Sequence, residues 1–246
     1  MAASSKKVAL PLAGKVAVIT GASRGIGLAI ARELAKRGCD LVLTGRALPA
    51  LKKAGRELGP LGIRTLPTVC DVSDPKAVRA LAATVKKQFS RVDILINNAG
   101  IAHRSAPVSE LPYDEWKAVI ETNLTGVFLV TAAILPLMRK GSAIAINLSI
   151  AARRSFPGSS AYNASKHGAL GLTNTLREEL RSKGIRVIGL LPGATDTGIW
   201  NTLWPTAPRE KMMSPETVAQ ALVRALLLPA DSTVEELTIM PTTGPL

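Results

Sequence analysis

The sequence predicts an α/β protein: a single domain built on a doubly wound parallel β-sheet with helices on both faces. Short β-branched apolar runs alternate with amphipathic helical stretches along the whole chain. A glycine-rich turn joins the first such run to the first helix, and no low-complexity linker divides the 246 residues. Strands separated by helix-length segments are joined by right-handed crossovers, which make neighbours parallel and place helices on each face.

Residues 1–13 form an N-terminal extension to this domain, and KVAVIT (15–20) is the first strand. It is followed by a helix in GIGLAIARELAKRG (25–38), a strand in DLVLTG (40–45) and a helix in ALPALKKAGRELG (47–59). RTLPTVCDV (64–72) gives the third strand, and the helix after it, DPKAVRALAATVKKQF (74–89), has Asp74 placed as its N-cap. VDILINNAG (92–100) is the fourth strand, and the apolar helix DEWKAVIETNLTGVFLVTAAILPLM (114–138) leads to the fifth, AIAINLS (143–149). The long helix 161–184 leads to the sixth strand, IRVIGLLPG (185–193), and the helix PETVAQALVRALLL (215–228) precedes a final strand in EELTIM (235–240). Two irregular stretches, 103–112 and 194–214, begin where strands end. Ligands of open α/β sheets sit at those carboxyl ends, so 194–214 reads as a substrate loop.

Composition removes several classes of function. The longest nearly apolar run, Val127–Met138, is broken by Thr131 and Pro136 and falls short of the roughly 18 residues of a membrane span. The N-terminal apolar segment ends at Pro11 and Gly14, too early for a secretory signal, so a cytoplasmic location is expected. Cys39 and Cys70 have no CxxC spacing and read as buried free thiols, and no His/Cys/acid cluster has metal-ligand spacing. The net charge of +13 is concentrated early, because residues 1–64 hold 12 Lys+Arg against 3 acids. Such a surplus fits a nucleic acid, an anionic cofactor or plain solvent, and the motifs decide between them.

TGASRGIG (20–27) carries Gly21, Gly25 and Gly27 between a strand and a helix. Glycines there let the backbone approach a pyrophosphate, whose charge the free amides of a helix N-terminus stabilise. The plainer reading is a tight strand-to-helix turn. The GxxxGxG spacing, with Asp71, NNAG (97–100), Asn123, Ser149, YNASK (162–166) and PGATDT (192–197) following in order, resembles the short-chain dehydrogenase/reductase family over residues 14–240. The resemblance implies a Rossmann-like fold and a nicotinamide cofactor held by the turn, including Ser23 and Ile26. It further implies adenine contacts from Asp71 and Val72, a cofactor-side turn of Asn97, Ala99 and Gly100, and nicotinamide contacts from Pro192, Gly193, Thr195 and Thr197. The second strand ends Leu43-Thr44-Gly45-Arg46, with no acid to take the ribose hydroxyls or repel a 2′-phosphate. Arg46 with Arg24 can clamp that phosphate, so NADP(H) is expected over NAD(H). As surface cations they would simply be solvated.

Tyr162 and Lys166 are four residues apart in a helical segment and share a face. A free phenol ionises near pH 10, and a neighbouring ammonium is expected to bring Tyr162 well below that. Ser149 stands thirteen residues earlier, where its hydroxyl can meet the same substrate oxygen. By resemblance Tyr162 is the proton donor and Ser149 stabilises the developing alkoxide. Lys166 binds the nicotinamide ribose, and Asn123 holds a water linking Lys166 to solvent. The implied activity is that of a carbonyl reductase, ketone or aldehyde to alcohol and the reverse. Singly, these residues read as a packing tyrosine, a solvated lysine, a turn serine and a helix interruption.

Trp200 and Trp204, with Met212 and Met213, suggest that 194–214 is either a lid over a nonpolar substrate or an apolar segment packed on a neighbouring helix or subunit. Ile150 and Arg153 border the pocket in the family, and Arg153 or Arg154 could receive a carboxylate or phosphate there. Two alternatives stand beside the carbonyl reductase. One is a 3-oxoacyl-[acyl-carrier-protein] reductase, with Lys140 and Lys183 at the rim, although the chain lacks the glycine pair usual near the last strand. The other is a nucleotide-sensing or nucleic-acid-binding protein, against which the intact Ser149, Tyr162 and Lys166 speak. The resemblance implies a homodimer or homotetramer assembled through segments 114–140 and 161–183.

Overall fold

The apolar run Val16–Thr20 forms strand β1 and is buried throughout. It pairs in parallel with β2 (Asp40–Gly45) on one side and β4 (Ile94–Asn97) on the other. A strand covered on both faces has to be apolar at nearly every position, which this run satisfies. β3 (Thr65–Val69), β5 (Ala143–Asn147), β6 (Arg186–Pro192) and β7 (Glu236–Ile239) complete a seven-stranded sheet of order β3-β2-β1-β4-β5-β6-β7, parallel throughout. This computed structural model describes residues 10–244. Positions 1–9 of the expected extension lie outside the described residues. Its remainder folds back on the domain, with Leu12 buried and its N–H donating to the Arg37 carbonyl at 2.9 Å.

Side-chain alternation divides the interior into two cores. Ala17, Ile19, Leu41 and Leu43 point to the face covered by α1 (Gly25–Ala35), α2 (Leu48–Leu58) and α8 (Pro215–Leu226). Val16, Val18, Val42 and Leu95 point to the other, covered by α3 (Pro75–Phe89), α5 (Gly126–Ile134) and α6 (Ser160–Arg181). Each fully buried Val, Leu or Ile contributes about 1.5–3 kcal/mol relative to exposure, so dozens of them hold the sheet against chain entropy. Asp74 caps α3 as expected, accepting from the Lys76 N–H at 2.8 Å.

The helix expected over 114–138 is interrupted. α4 (Tyr113–Ile120) passes into a wide π-type turn at Glu121–Thr125, where the Gly126 N–H reaches back to the Glu121 carbonyl, before α5 begins. The run Tyr113–Leu137 spans 25 residues and is, by length and composition, apolar enough to cross a bilayer, which the shorter Val127–Met138 stretch did not suggest. In the fold it buries Val119, Val127, Val130 and Ile134 and leaves Phe128 exposed.

The order of strands reverses between β1 and β4, and the crevice at their carboxyl ends is where the functional residues gather. The turn between β1 and α1 needs glycine at Gly21, whose φ is 65°. Gly27 is needed for a different reason, since any Cβ there would strike the Gly21 carbonyl oxygen and the Asn98 amide. Gly27→Ala should therefore destabilise the fold by about 1–3 kcal/mol. The measurement is a urea midpoint at constant m-value, and an unmoved midpoint would mean that the two backbones separate freely.

Candidate active site

A cleft of about 900 Å³ opens along the carboxyl ends of the strands. At one end lies the glycine turn, where the Thr20 hydroxyl accepts from the N–H groups of Asn98 and Ala99, each at 2.9 Å. The Asn98 side-chain amide donates to the carbonyls of Thr20 (2.9 Å) and Gly21 (3.2 Å). Its Oδ1 in turn accepts from Asn147 Nδ2 at 2.9 Å. The Asn147 main-chain oxygen accepts from Lys166 Nζ at 2.8 Å. One hydrogen-bonded chain thus runs from the turn, across β4 and β5, to the lysine on α6.

Lys166 and Tyr162 lie one helical turn apart and both face the cleft, with the ammonium 5.6 Å from the centre of the phenol ring. Ser149 stands two residues beyond the end of β5, where it caps a short 3-10 turn by accepting from the Ala151 N–H at 3.1 Å. That contact fixes the hydroxyl oxygen and leaves its proton to donate. Burial pushes the Tyr162 phenol above its ordinary 10, and the neighbouring Ser149 hydroxyl only partly offsets this. The expected acidification by Lys166 is therefore not found in the chain by itself. Lys166 is itself buried, which pulls it down to about 8, and its one hydrogen bond is to a carbonyl.

At the glycine-turn end of the cleft the first turn of α1 has no side-chain cap and no acid, so its amides are unoccupied by protein. Ser23, Arg24, Gly25 and Ile26 line this end, with Arg46 and Asp71 across from them. Neither arginine closes an ion pair among the described residues. Arg46 does act on Asp71, whose carboxyl is held low first by the Ser73 hydroxyl, at 2.6 Å, and then by the Ser73 N–H and the Arg46 charge. Val72, Ala99, Gly100, Pro192 and Gly193 continue the wall, with Thr195 and Thr197 beyond. Free amides, a backbone cradle that a Cβ would fill and two unpaired guanidinium groups suit a phosphorylated dinucleotide.

Four expected contacts fall elsewhere. Asn97 shares strand parity with Leu95 and so points to the α5 face, where its amide donates to the Thr131 hydroxyl at 2.9 Å; Asn98 faces the cleft instead. Gly27 packs beneath the turn without lining the cleft. Asn123, in the wide turn, spends its side chain on both main-chain groups of Ile101, accepting from the N–H at 2.9 Å and donating to the carbonyl at 2.8 Å. Arg153 turns outward into two 2.7 Å hydrogen bonds with Glu236 and does not line the cleft. His103 is also buried outside the cleft, donating from Nδ1 to the Arg104 carbonyl.

The 194–214 loop crosses the cleft as a strap containing α7 (Trp200–Leu203). Trp200 and Trp204 both line the cleft and meet edge to face at 6.5 Å, and Ile150 lines it as well. Arg209 locks the strap, donating to Asp196 (2.9 Å), the Thr197 carbonyl (2.7 Å) and Asn201 (2.8 Å). Sequence reasoning missed Asn98, Asn147, Phe156 and Arg209. Only Asn98 left a signal, in its alternation with Asn97.

A family model described as short chain dehydrogenase matches residues 15–208. The chain is 37% identical to an uncharacterised oxidoreductase of Staphylococcus haemolyticus, over 94% of this chain and 98% of that one. It is 34% identical to a sepiapterin reductase of Chlorobaculum tepidum, over 93% and 97%. Among solved structures, an alcohol dehydrogenase of the archaeon Thermococcus sibiricus, complexed with 5-hydroxy-NADP, superposes with a TM-score of 0.87 at 35% identity, covering 93% of this chain and 97% of that one.

Burial that lowers Lys166 to about 8 from 10.5 has a signed consequence for stability. Between those values the unfolded chain binds more protons than the folded one, so the group's contribution rises with pH through that window, by up to about 3 kcal/mol. Below pH 8 its full desolvation cost is present. The stability of the wild type minus that of Lys166→Met, from urea unfolding at a series of pH values, should climb between pH 8 and 10.5. A flat difference curve would show that the ammonium carries no such cost.

Proposed function

Since the chain belongs to the short-chain dehydrogenase family, we propose that it is a carbonyl reductase, converting a ketone or aldehyde to an alcohol by reversible hydride transfer. The observation that carries this reading is the convergence of Ser149, Tyr162 and Lys166 on one wall of a cleft whose far end is built for a phosphorylated dinucleotide. Its cofactor is NADP(H), in keeping with the unpaired Arg24 and Arg46, the missing acid after β2 and the ligand of the archaeal relative.

Bound along this cleft, NADPH supplies the hydride that goes to the carbonyl carbon. Tyr162 gives its phenolic proton to the carbonyl oxygen, and Ser149 donates a hydrogen bond to the charge that develops there. Burial favours the neutral phenol, which is the form that reduction requires. The alcohol-to-carbonyl direction needs the phenolate and is favoured only at higher pH. Lys166, fixed to the Asn147 carbonyl, presents its remaining N–H donors toward the ribose side of the cleft. Asn123 acts through the Ile101 main chain, holding the segment after β4 in place.

The acyl-carrier alternative loses its docking residues. Lys140 and Lys183 flank a small groove at the amino ends of β5 and β6, the edge of the sheet opposite the cleft. A nucleic-acid reading rests on charge alone: Lys52, Lys53 and Arg56 are exposed together on α2, while the intact Ser149, Tyr162 and Lys166 in the cleft favour chemistry on a bound nucleotide. A cytoplasmic homodimer or homotetramer remains our reading of its setting, and the exposed Phe128 on α5 supports a subunit contact there.

Tyr162→Phe should lower kcat by at least about 100-fold while leaving NADPH affinity within a few-fold, since only the proton donor is removed. Turnover assays paired with cofactor titration check this, and retained activity would reject the assigned acid. Arg46→Ala should weaken NADPH about 10- to 100-fold, the worth of a charge-assisted hydrogen bond, and leave NADH unchanged. An unaltered ratio of the two dissociation constants would move the selectivity elsewhere.

A further inference from the structure

The substrate end of the cleft is defined by what surrounds Tyr162 and Ser149. Ile101, Ile150 and Phe156 form its fixed side, and Trp200, Leu203 and Trp204 form the side carried by the strap. Its polar groups beyond the catalytic pair are neutral hydroxyls, those of Ser105, Ser159 and Thr202.

Every cation borne by the bordering segments is committed elsewhere or lies outside the wall. Arg104 donates to the Glu110 carbonyl and pairs with Glu115. Arg153 is taken by Glu236, and Arg209 by Asp196, Thr197 and Asn201. Arg154 is exposed and does not line the cleft. The lining cations are Lys166, hydrogen-bonded to Asn147, and Arg24 with Arg46 at the cofactor end. An anionic group brought to this wall would shed its hydration without gaining a counter-charge.

The aromatic side is also set in advance. Three hydrogen bonds from Arg209 tie the strap to itself and hold its internal shape, and the Trp200 indole donates to the Thr195 carbonyl within it at 2.9 Å. Side chains held this way lose little further freedom when a ring slides between them, so a flat apolar body is favoured over a small flexible one.

We propose that the substrate is a neutral carbonyl compound with a ring-sized apolar body, and that the strap discriminates against carbonyl compounds bearing a carboxylate, sulfonate or phosphate. This rests on the reading of the chain as a carbonyl reductase. The test compares kcat/KM with NADPH for matched pairs: an aryl alkyl ketone against the same ketone with a ring carboxylate, and an aliphatic aldehyde against its sulfonated counterpart. The neutral member should be favoured by about 100-fold or more in each pair, and equal or reversed preference overturns the proposal. Trp204→Arg, at a position 43% exposed and so tolerant of charge, should narrow the aryl pair's ratio at least about tenfold. A ratio that does not move removes the strap from the discrimination. Binding of the same pairs to the protein with NADP+ present, read by quenching of tryptophan fluorescence, separates the two levels of inference. Tighter binding of the neutral member without any reduction would leave the substrate class standing and reject the reductase, whereas tighter binding of the anion would reject the substrate class alone.

Discussion

The arrangement depends on the hydrogen bond between Lys166 Nζ and the Asn147 carbonyl. It is the point at which a helix is tied to the sheet at the level of the chemistry. Through Asn147 and Asn98 it continues to the Gly21 carbonyl, so the reactive wall and the phosphate-binding turn share one framework. A buried ammonium is costly, and a carbonyl aimed at it is the least elaborate way to retain the charge without a carboxylate. A carboxylate in that place would neutralise the lysine and remove the cation from the cleft. The neutral carbonyl leaves the positive charge available.

Burial has opposite effects on Lys166 and Tyr162, one turn apart on α6. It weakens the hold of Lys166 on its proton and strengthens that of Tyr162. Both effects come from the same dry wall, and together they leave a protonated phenol beside a lysine close to its own titration point. The Ser149 hydroxyl, fixed by the Ala151 amide, is the partner that favours phenolate character. The apolar residues around Tyr162 and Lys166 therefore set the charge state of both side chains as well as packing them.

Most of the fold was legible in the sequence because a parallel sheet covered on both faces requires continuous apolar runs, and runs such as Val16–Thr20 and Arg186–Pro192 have no other use. The pairing of Tyr162 with Lys166 was legible from spacing, since residues four apart share a helical face. What stayed hidden depended on contacts between distant residues. Glu236, which removes Arg153 from the pocket, lies 83 positions away. The Arg209 lock is made by loop geometry without periodicity. Asn97 and Asn98 could be told apart only by strand parity, and the rise in the Tyr162 pKa needed the walls that enclose it. The wide turn at Asn123 left no local signature, because its residues are compatible with an ordinary helix.

That turn also governs how α4 and α5 relate to one another. A π-type turn accommodates one residue more than an α-helical path of the same span. Regularising Glu121–Thr125 to ordinary pitch with every residue retained would swing Tyr113–Ile120 by about 100° around the axis. Val119 would leave the interior, and the charged side of α4 would be driven against α6. The bulge is thus a phase corrector between two amphipathic stripes, and insertions or deletions are far easier to accommodate in the loops on either side of this helix than within it.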